Sequence, residues 1–128
     1  GSTNVMHLHG EIFKMRSSAN EDHIMEIRGD IHLGDKSIDG AQLRPHIVWF
    51  EEPVPMIENA AAVMSTADLF VLIGTSLQVY PAAGLIHYVP EETPKYIIDR
   101  KIPSLGNLKN IIPIKNTATE GIKILIEL

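Results

Sequence analysis

Residues 69–84 read Leu-Phe-Val-Leu-Ile-Gly-Thr-Ser-Leu-Gln-Val-Tyr-Pro-Ala-Ala-Gly, and this stretch decides the fold. Its first part, residues 69–73, is a continuous apolar run, which is typical of a strand buried on both faces. The run ends at Gly74-Thr75-Ser76, and Pro81 then stands where a helix tolerates proline in its first turn. The sequence therefore predicts a buried strand that leads through a small, hydroxyl-rich turn into a helix.

The segments on either side of this stretch alternate between helical and extended patterns. Residues 57–67 are alanine-rich with apolar side chains at helical spacing, and residues 117–128 carry the apolar stripe of a terminal helix. Residues 95–99 and 110–114 have the apolar character of further strands. This alternation predicts an α/β fold with a Rossmann-like, mainly parallel sheet, which binds ligands outside the carboxyl ends of its strands.

The patterns before residue 57 are weaker. Residues 6–15 alternate loosely, and an extended strand there would place His7, His9 and Glu11 on one face. A second strand is predicted over residues 46–50, where a continuous apolar run follows a proline.

Between these two segments the composition shifts. Residues 16–42 are rich in Ser, Asn, Asp and Gly and have too few apolar side chains for a core of their own. We therefore expect a small, loop-rich insert over 16–42, with residues 1–15 and 43–128 forming the Rossmann-like portion.

Composition excludes several classes of protein. With 45% hydrophobic and 21% charged residues, the 128-residue chain has enough apolar side chains for a core. A net charge of -5 without a basic stripe argues against nucleic acid and membrane surfaces as partners. No apolar run approaches the roughly 20 residues of a membrane-spanning helix. The absence of cysteine excludes disulfides, thiolate catalysis and cysteine-ligated zinc, and is compatible with a reducing compartment.

Two features indicate ligand chemistry at the predicted sheet edge. The Gly74-Thr75-Ser76 turn offers small residues, free amides and hydroxyls that can hold a ribose or a phosphate. Asp99 ends the next strand, where a carboxylate can accept hydrogen bonds from ribose hydroxyls. Judged from the residues alone, the alternative for Gly74-Thr75-Ser76 is a plain turn without a ligand, and the alternative for Asp99 is a helix cap. Histidines offer a further alternative, a metal site built from His7 and His9 with His23 or His32.

Three segments together resemble the sirtuins, which are NAD-dependent protein lysine deacylases. In chain order they read Met-His-Leu-His-Gly-Glu over 6–11, Leu-Arg-Pro-His-Ile-Val-Trp-Phe over 43–50, and Gly-Thr-Ser-Leu-Gln-Val-Tyr-Pro-Ala over 74–82. The resemblance extends over essentially the whole chain and is strongest to bacterial sirtuins. It implies a cytoplasmic enzyme that uses NAD as co-substrate and acts on acyl-lysine proteins or peptides.

The resemblance also implies roles for individual residues. His9 matches the catalytic general base, which deprotonates a ribose hydroxyl after the acyl oxygen has displaced nicotinamide. An imidazole suits this task because it titrates near neutral pH. Val48, Phe50 and Glu51 match the segment that holds the acyl-lysine, to which the substrate peptide adds as a strand. The residues matching the NAD site are Gly74, Thr75, Ser76, Asp99, Arg100, Lys101 and Ala118.

Departures from the family pattern qualify these roles. In most sirtuins the segment after Arg16 opens a cysteine-ligated zinc site, but Ser17 stands at the expected Cys position, so we expect no zinc. The family's Phe-Gly-Glu reads Phe50-Glu51-Glu52, which places a charged residue in the peptide-binding loop. The two adjacent glutamates favour solvated side chains over a catalytic carboxylate pair.

The resemblance further implies that much of the sirtuin domain lies outside these residues. The family's Gly-Ala-Gly phosphate loop and Gln-Asn-Ile-Asp strand have no counterpart in the sequence and are expected in a missing amino-terminal half. We therefore expect the chain to be inactive alone, and to pair with that half or to self-associate. The alternative is a non-catalytic remnant that binds ADP-ribose or a peptide.

Overall fold

Two separate three-stranded sheets organise the chain, and residues 2–128 are described by this computed structural model. One sheet lies in the compact unit that ends at Met56, called the amino-terminal unit below. The other lies in the unit Ile57–Leu128, called the carboxyl-terminal unit. The predicted grouping of residues 1–15 with 43–128, and of 16–42 as an insert, stays a prediction about the complete protein.

The sheet of the amino-terminal unit is antiparallel. Its strands are β1 (Gly10–Ser17), β2 (Ile24–Glu26) and β3 (Leu43–Ile47), in the order β2-β1-β3. Met15 pairs with Pro45, which is tolerated inside β3 because β3 is an edge strand and its other side needs no backbone donor. The insert contributes only β2 and an isolated bridge between Lys36 and Gln42.

Two predictions for this unit are wrong. The strand predicted over residues 46–50 is found over Leu43–Ile47, because pairing with β1 rather than apolar character sets its bounds. The strand predicted over residues 6–15 begins only at Gly10, so His7 and His9 precede it and do not share a strand face with Glu11.

The carboxyl-terminal unit confirms the predicted α/β fold with a parallel sheet. Strands β4 (Phe70–Ile73), β5 (Lys95–Ile98) and β6 (Ile111–Ile114) lie side by side in that order. Their last residues, Ile73, Ile98 and Ile114, are aligned in register. The carboxyl ends of the strands therefore lie together along one edge of the sheet, called the carboxyl edge below.

The helices of this unit follow the predicted positions with shorter bounds. Helix α1 (Ile57–Met64) ends where the Ser65 and Thr66 hydroxyls donate hydrogen bonds to the preceding carbonyls of Ala62 and Val63, at 2.8 and 3.0 Å. Residues Ala82–Tyr88 form a 3₁₀ helix after Pro81. Helix α2 (Ala118–Ile126) begins after Thr117, whose hydroxyl accepts a hydrogen bond from the Glu120 amide at 3.3 Å.

Aliphatic and aromatic side chains fill the core of the carboxyl-terminal unit. Its central buried cluster consists of Phe70, Ile86, Val89 and Ile97. Helix α2 packs so closely on β5 that a Cβ atom on Gly121 would overlap the Ile98 side chain. Among residues 2–128, no helix has the length and apolar character needed to cross a membrane.

One buried residue of this core is charged. Lys95 is 1% exposed, and its ammonium donates hydrogen bonds to the carbonyls of Pro90, Glu91 and Thr93 at 2.8, 3.2 and 2.9 Å. These three bonds use every proton of the ammonium group. Lys95 therefore fastens the turn over residues 90–94 to the start of β5.

Candidate functional site

His9 lies in an exposed turn immediately before β1. The Gly10 amide closes the turn by donating to the His7 carbonyl at 3.4 Å. The Val48 amide donates to the His9 carbonyl at 3.0 Å, which joins the turn to the residue after β3. Within the described part of the chain, the His9 imidazole makes no hydrogen bond or ion pair. Its backbone is fixed, and its ring is available to a ligand.

Gly10 explains why the turn takes this shape. Its φ is +84°, in the region that favours glycine. A Cβ atom at this position would overlap the backbone carbonyl of His46 in β3. The residue after His9 must therefore lack a side chain, because the backbone of β3 occupies the space that a Cβ atom would need.

An ion-pair network holds the loop that follows β3. Arg44 donates to both Glu52 carboxylate oxygens, at 2.5 and 3.1 Å, and Glu52 also accepts from the Trp49 amide at 2.8 Å. The buried Arg16 guanidinium lies 3.6 Å from the same carboxylate and 3.1 Å from that of Glu21. The hydrogen bonds from Arg44, followed by the one from the Trp49 amide, lower the pKa of Glu52 to about 2. The positive charges of Arg44 and Arg16 act in the same direction.

Glu51 differs from Glu52 in exposure, backbone conformation and ion pairing. It is exposed, its φ is +69°, and it has no ion-pair partner within residues 2–128. A positive φ is strained for a residue with a side chain, and this is the position at which the sirtuin pattern has glycine. The expectation of two solvated glutamates is therefore wrong for Glu52, which Arg44 and Arg16 neutralise.

The tip of this loop presents two aromatic rings to solvent. Trp49 and Phe50 are 66% and 78% exposed and meet edge to face with ring centroids 6.3 Å apart. Val48, which precedes them, is half-buried and bonded through its amide to the His9 turn. The predicted substrate-binding residues Val48, Phe50 and Glu51 thus lie on one loop of the amino-terminal unit. The Val48 amide joins this loop to the His9 turn by its hydrogen bond to the His9 carbonyl.

The residues predicted to bind NAD lie along the carboxyl edge of the other sheet. Gly74 follows the last residue of β4, and its amide donates to the Ile98 carbonyl at 3.0 Å. Asp99 follows the last residue of β5, and its amide donates to the Ile114 carbonyl at 3.4 Å. Because these neighbouring strands are parallel and in register, Gly74 and Asp99 are brought to the same edge.

The turn after β4 leaves its backbone open. Gly74 has a φ of +64°, and no atom lies within 4 Å of where its Cβ would stand. The Thr75 hydroxyl accepts from the Leu77 amide at 3.2 Å, and Leu77 itself has a φ of +53°. Positive φ values at Gly74 and Leu77 thus turn the chain after β4, and the hydroxyl residues Thr75 and Ser76 lie between these two positions.

The remaining predicted residues complete this edge. The Lys101 amide donates to the Asp99 carboxylate at 2.8 Å, which fixes a tight turn with exposed Arg100 at its tip. Ala118, at the start of α2, is exposed and follows β6 after a short loop. One edge therefore carries the exposed Arg100 and Lys101 cations, the hydroxyls of Ser76 and half-buried Thr75, and the half-buried Asp99 carboxylate, and these polar groups suit a dinucleotide.

Zinc, which the resemblance implies for most relatives, does not fit the residues present. Ser17 occupies the end of β1, and its hydroxyl donates to Asp39 at 2.6 Å. Within residues 2–128 no three His, Cys, Asp or Glu side chains converge as a metal site would require. The alternative site built on His7 and His9 meets the same objection, and Glu11 instead faces His7 and Lys14 at 3.5 and 2.6 Å.

The polar network around Arg16, Arg44 and Glu52 was not predicted from the sequence. Arg44 and Glu52 are eight residues apart, and Arg16 reaches the same carboxylate from another strand, so no local spacing signals the cluster. His46, on β3, belongs to the same surroundings. Burial, followed by the charges of Arg16 and Lys14, lowers the pKa of His46 and favours a neutral ring.

Comparison with known proteins places the chain in a family. The Sir2 family profile matches residues 1–81. An NAD-dependent protein deacylase of Bacteroides thetaiotaomicron is 46% identical over 100% of this chain and 57% of its own length. One from Aggregatibacter actinomycetemcomitans is 52% identical over 77% of this chain and 48% of its own. The chain thus spans about half the length of these curated relatives.

Solved structures give the same result. A Sir2 homologue in complex with ADP-ribose superposes with a TM-score of 0.84 at 28% identity, over 99% of this chain and 53% of the homologue. A Sir2 homologue in complex with NAD has the same TM-score and identity and is covered over 51% of its length. Both share the Rossmann-like parallel sheet. The sequence match and the shared fold together establish that this chain belongs to the Sir2 family.

Proposed function

We propose that these residues are the catalytic-histidine, acyl-lysine-binding and NAD-binding portion of an NAD-dependent protein lysine deacylase. The observation that carries the proposal is the His9 turn, whose backbone is fixed by Gly10 and Val48 while its imidazole is left without a partner in the described chain. A general base needs this combination of a fixed position and a free ring nitrogen. The relatives named as NAD-dependent protein deacylases support the reaction class.

NAD, as co-substrate, supplies an ADP-ribosyl group with nicotinamide as its leaving group. In this proposal His9 takes a proton from a ribose hydroxyl, and the carboxyl edge holds the ribose and adenine side of the molecule. The open Gly74 backbone and the hydroxyls of Thr75 and Ser76 face the sugar and phosphates, whereas Asp99 accepts from ribose hydroxyls. Arg100, Lys101 and Ala118 complete the adenosine end.

The substrate of this proposal is an acyl-lysine protein or peptide. Val48, Phe50 and Glu51 are its binding residues, because they lie on one exposed loop that the Arg44–Glu52 pair holds in place. Phe50 supplies an apolar wall for the acyl-lysine stem. The unpartnered Glu51 carboxylate favours peptides with a basic neighbour, and we expect Glu51→Gln to lower kcat/KM for such peptides about two- to fivefold, with little effect on neutral ones.

Partners and location follow from the same proposal. Leu69 and Ile73, on either side of the buried part of β4, are 53% and 43% exposed, and Phe50 is more exposed still. Exposed apolar side chains at the ends of a sheet favour association. We therefore propose that the rest of the deacylase domain covers Leu69 and Ile73 in the one unit and Phe50 in the other, and that the chain alone self-associates. From the resemblance to bacterial sirtuins we further propose that the protein is cytoplasmic.

The test compares two neighbouring histidines in the longest natural form of the protein that contains these residues. His9→Ala should lower kcat/KM for an acetyl-lysine peptide about 10²–10⁴-fold, while the Kd for ADP-ribose changes less than about twofold. His7→Ala is the matched control, since His7 is also exposed and lies in the same turn. Equal losses in the two variants would remove the role assigned to His9.

Binding by the chain itself separates the deacylase from the non-catalytic alternative. Calorimetric titration with ADP-ribose should show binding that Thr75→Ala weakens and Thr66→Ala does not, since Thr66 precedes β4 and Thr75 follows it. If the long form also binds ADP-ribose but releases no nicotinamide with peptide and NAD, the protein is a binding module and the catalytic proposal fails.

A further inference from the structure

The insert between β1 and β3 is held at its base by polar side chains. Ser17, the last residue of β1, is 1% exposed and lies where the sirtuin pattern has a zinc-binding cysteine. Its hydroxyl donates to Asp39 Oδ2 at 2.6 Å and accepts from the amides of Ala19 and Asn20 at 3.0 and 3.2 Å. The hydroxyl thus uses its only proton and accepts two bonds, which saturates its capacity.

Asp39 is the centre of this group. Its Oδ1 accepts from the Ala41 amide at 3.0 Å, and its Oδ2 lies 3.3 Å from His23 Nδ1 as well as accepting from Ser17. The contact with His23 is not an aligned hydrogen bond, because His23 Nδ1 has no hydrogen-bond partner among the described residues. The Ser17 hydroxyl, then the Ala41 amide, and to a lesser extent His23 lower the pKa of Asp39.

The remaining contacts join the same segments. Asn20 Nδ2 lies 3.2 Å from His23 Nε2, and the Ser17 amide donates to the His23 carbonyl at 3.3 Å. Ser17 and Asp39 are 22 residues apart, so their bond closes a long loop. Closing a long loop is the structural service that a bound metal ion provides to a segment with little core of its own.

We propose that Ser17, Asn20, His23 and Asp39 form a metal-free clamp that replaces zinc in holding the insert on the end of β1. The four groups do not form a zinc site, because only His23 and Asp39 are of the zinc-ligand type, whereas Ser17 keeps its hydroxyl proton and directs it at Asp39. The clamp draws its strength from a charge-assisted hydrogen bond between the buried Ser17 hydroxyl and the Asp39 carboxylate. The insert is then independent of metal supply and of chelators.

Hydrogen exchange on the purified chain tests the clamp amide by amide. Asp39→Asn should speed exchange of the Ala19, Asn20 and Ala41 amides about tenfold or more, and Ser17→Ala should do the same for the first two. Amides of Lys95–Ile98 report whether the remainder of the chain stays folded. Asp30→Asn and Ser18→Ala are matched controls in the same insert, both exposed and expected to leave exchange unchanged.

Metal dependence supplies the second measurement. Chelator and added zinc should each change exchange in the parent chain by less than about twofold, because no metal takes part. The proposal is overturned if Asp39→Asn and Ser17→Ala exchange like their controls, or if chelator alone loosens the insert. Should Asp39→Asn unfold the whole chain, exchange at Lys95–Ile98 would reveal it and the Ser17→Ala result would decide.

Discussion

The two units of this chain bury different kinds of side chain. Among residues 2–56 of the amino-terminal unit, the buried polar residues Arg16, Ser17 and Ser37 outnumber the buried apolar residues Leu43 and Val54. In the carboxyl-terminal unit the buried residues are mainly apolar, with Thr93 and Lys95 as exceptions. Its buried apolar residues are Ala60, Phe70, Ala83, Leu85, Ile86, Val89, Ile97, Ile98 and Ile114.

This difference teaches where each unit is vulnerable. Apolar burial is non-directional and is lost mainly when atoms are removed and a cavity remains. Charge-assisted hydrogen bonds require particular partners in particular protonation states. They are lost when a partner is substituted or when it gains or loses a proton. We therefore expect the carboxyl-terminal unit to respond to truncation of its core, and the amino-terminal unit to respond to pH and to charge-removing substitutions.

The largest effect is expected from Ile97→Ala. Ile97 is 0% exposed at the centre of β5, so the truncation leaves a cavity and should cost about 2–5 kcal/mol in the free energy of unfolding. Ile112→Ala on the adjacent strand is the control, since Ile112 is 37% exposed and should cost less than about 1 kcal/mol. Urea unfolding followed by circular dichroism measures both. Similar losses would show that burial does not distinguish these positions.

Lys95→Met tests the polar exception in the apolar unit. The substitution leaves the three carbonyls around the Lys95 ammonium without a donor, and we expect a loss of about 2–3 kcal/mol. Lys109→Met is the matched control because Lys109 pairs with Glu91 at the surface, where the expected loss is below about 1 kcal/mol. The same urea experiment measures both, and a stable Lys95→Met variant would contradict the structural role of the ammonium.

Acid should affect the Glu52 loop in a defined pH range. The pKa of Glu52 is lowered from 4.5 to about 2, so its stabilising contribution is complete above pH 4.5 and is lost as the pH falls toward 2. Trp49 is the sole tryptophan and donates its amide to Glu52, so its fluorescence should change within this range.

Two variants identify the titrating group. Glu52→Gln should remove the transition and alter Trp49 emission already at pH 7, because the amide cannot form the same pair with Arg44. Glu51→Gln should leave the transition in place. A transition that survives in Glu52→Gln would assign it to another carboxylate.

The smallest effect is expected from Glu51→Gly. The φ of +69° at Glu51 is strained for any residue with a Cβ atom, so glycine should stabilise the folded chain by about 0.5–1 kcal/mol despite its greater freedom in the unfolded state. Glu51→Ala separates charge from strain, since it removes the carboxylate and keeps the Cβ. Thermal unfolding should rank Glu51→Gly above Glu51→Ala, and the reverse order would locate the effect in the charge.

The carboxyl-terminal unit could be predicted from sequence because its signals are local. Apolar runs fixed β4, β5 and β6 within about one residue, and helical spacing together with Thr117 fixed the start of α2. The carboxyl edge followed from the parallel arrangement alone. The shorter bounds of α1, the 3₁₀ form of residues Ala82–Tyr88 and the carbonyl partners of Lys95 were missed, the last because a lysine at the start of a strand is ordinarily exposed.

The amino-terminal unit could not be predicted equally well because its contacts join distant residues. Register between β1 and β3 moved the strand predicted over residues 46–50 toward Pro45, and β1 begins only at Gly10, after His9. His9 was identified through family resemblance, whereas the Arg44–Glu52 pair has no local signal. The roles of His9, the peptide loop and the NAD-binding residues stay predictions until they are measured.

The His9 turn also determines how the sequence can vary there. Within the described residues the His9 side chain has no hydrogen-bond partner, so a library of substitutions at position 9 should yield mostly folded proteins. At position 10 any side chain would meet the His46 carbonyl, so nearly every variant should be lost from the folded fraction. Tolerance and intolerance to substitution thus stand at adjacent positions. A mutational scan that selects for folded protein would therefore identify Gly10 as intolerant to substitution but not His9. A scan that selects for deacylase turnover would identify both positions.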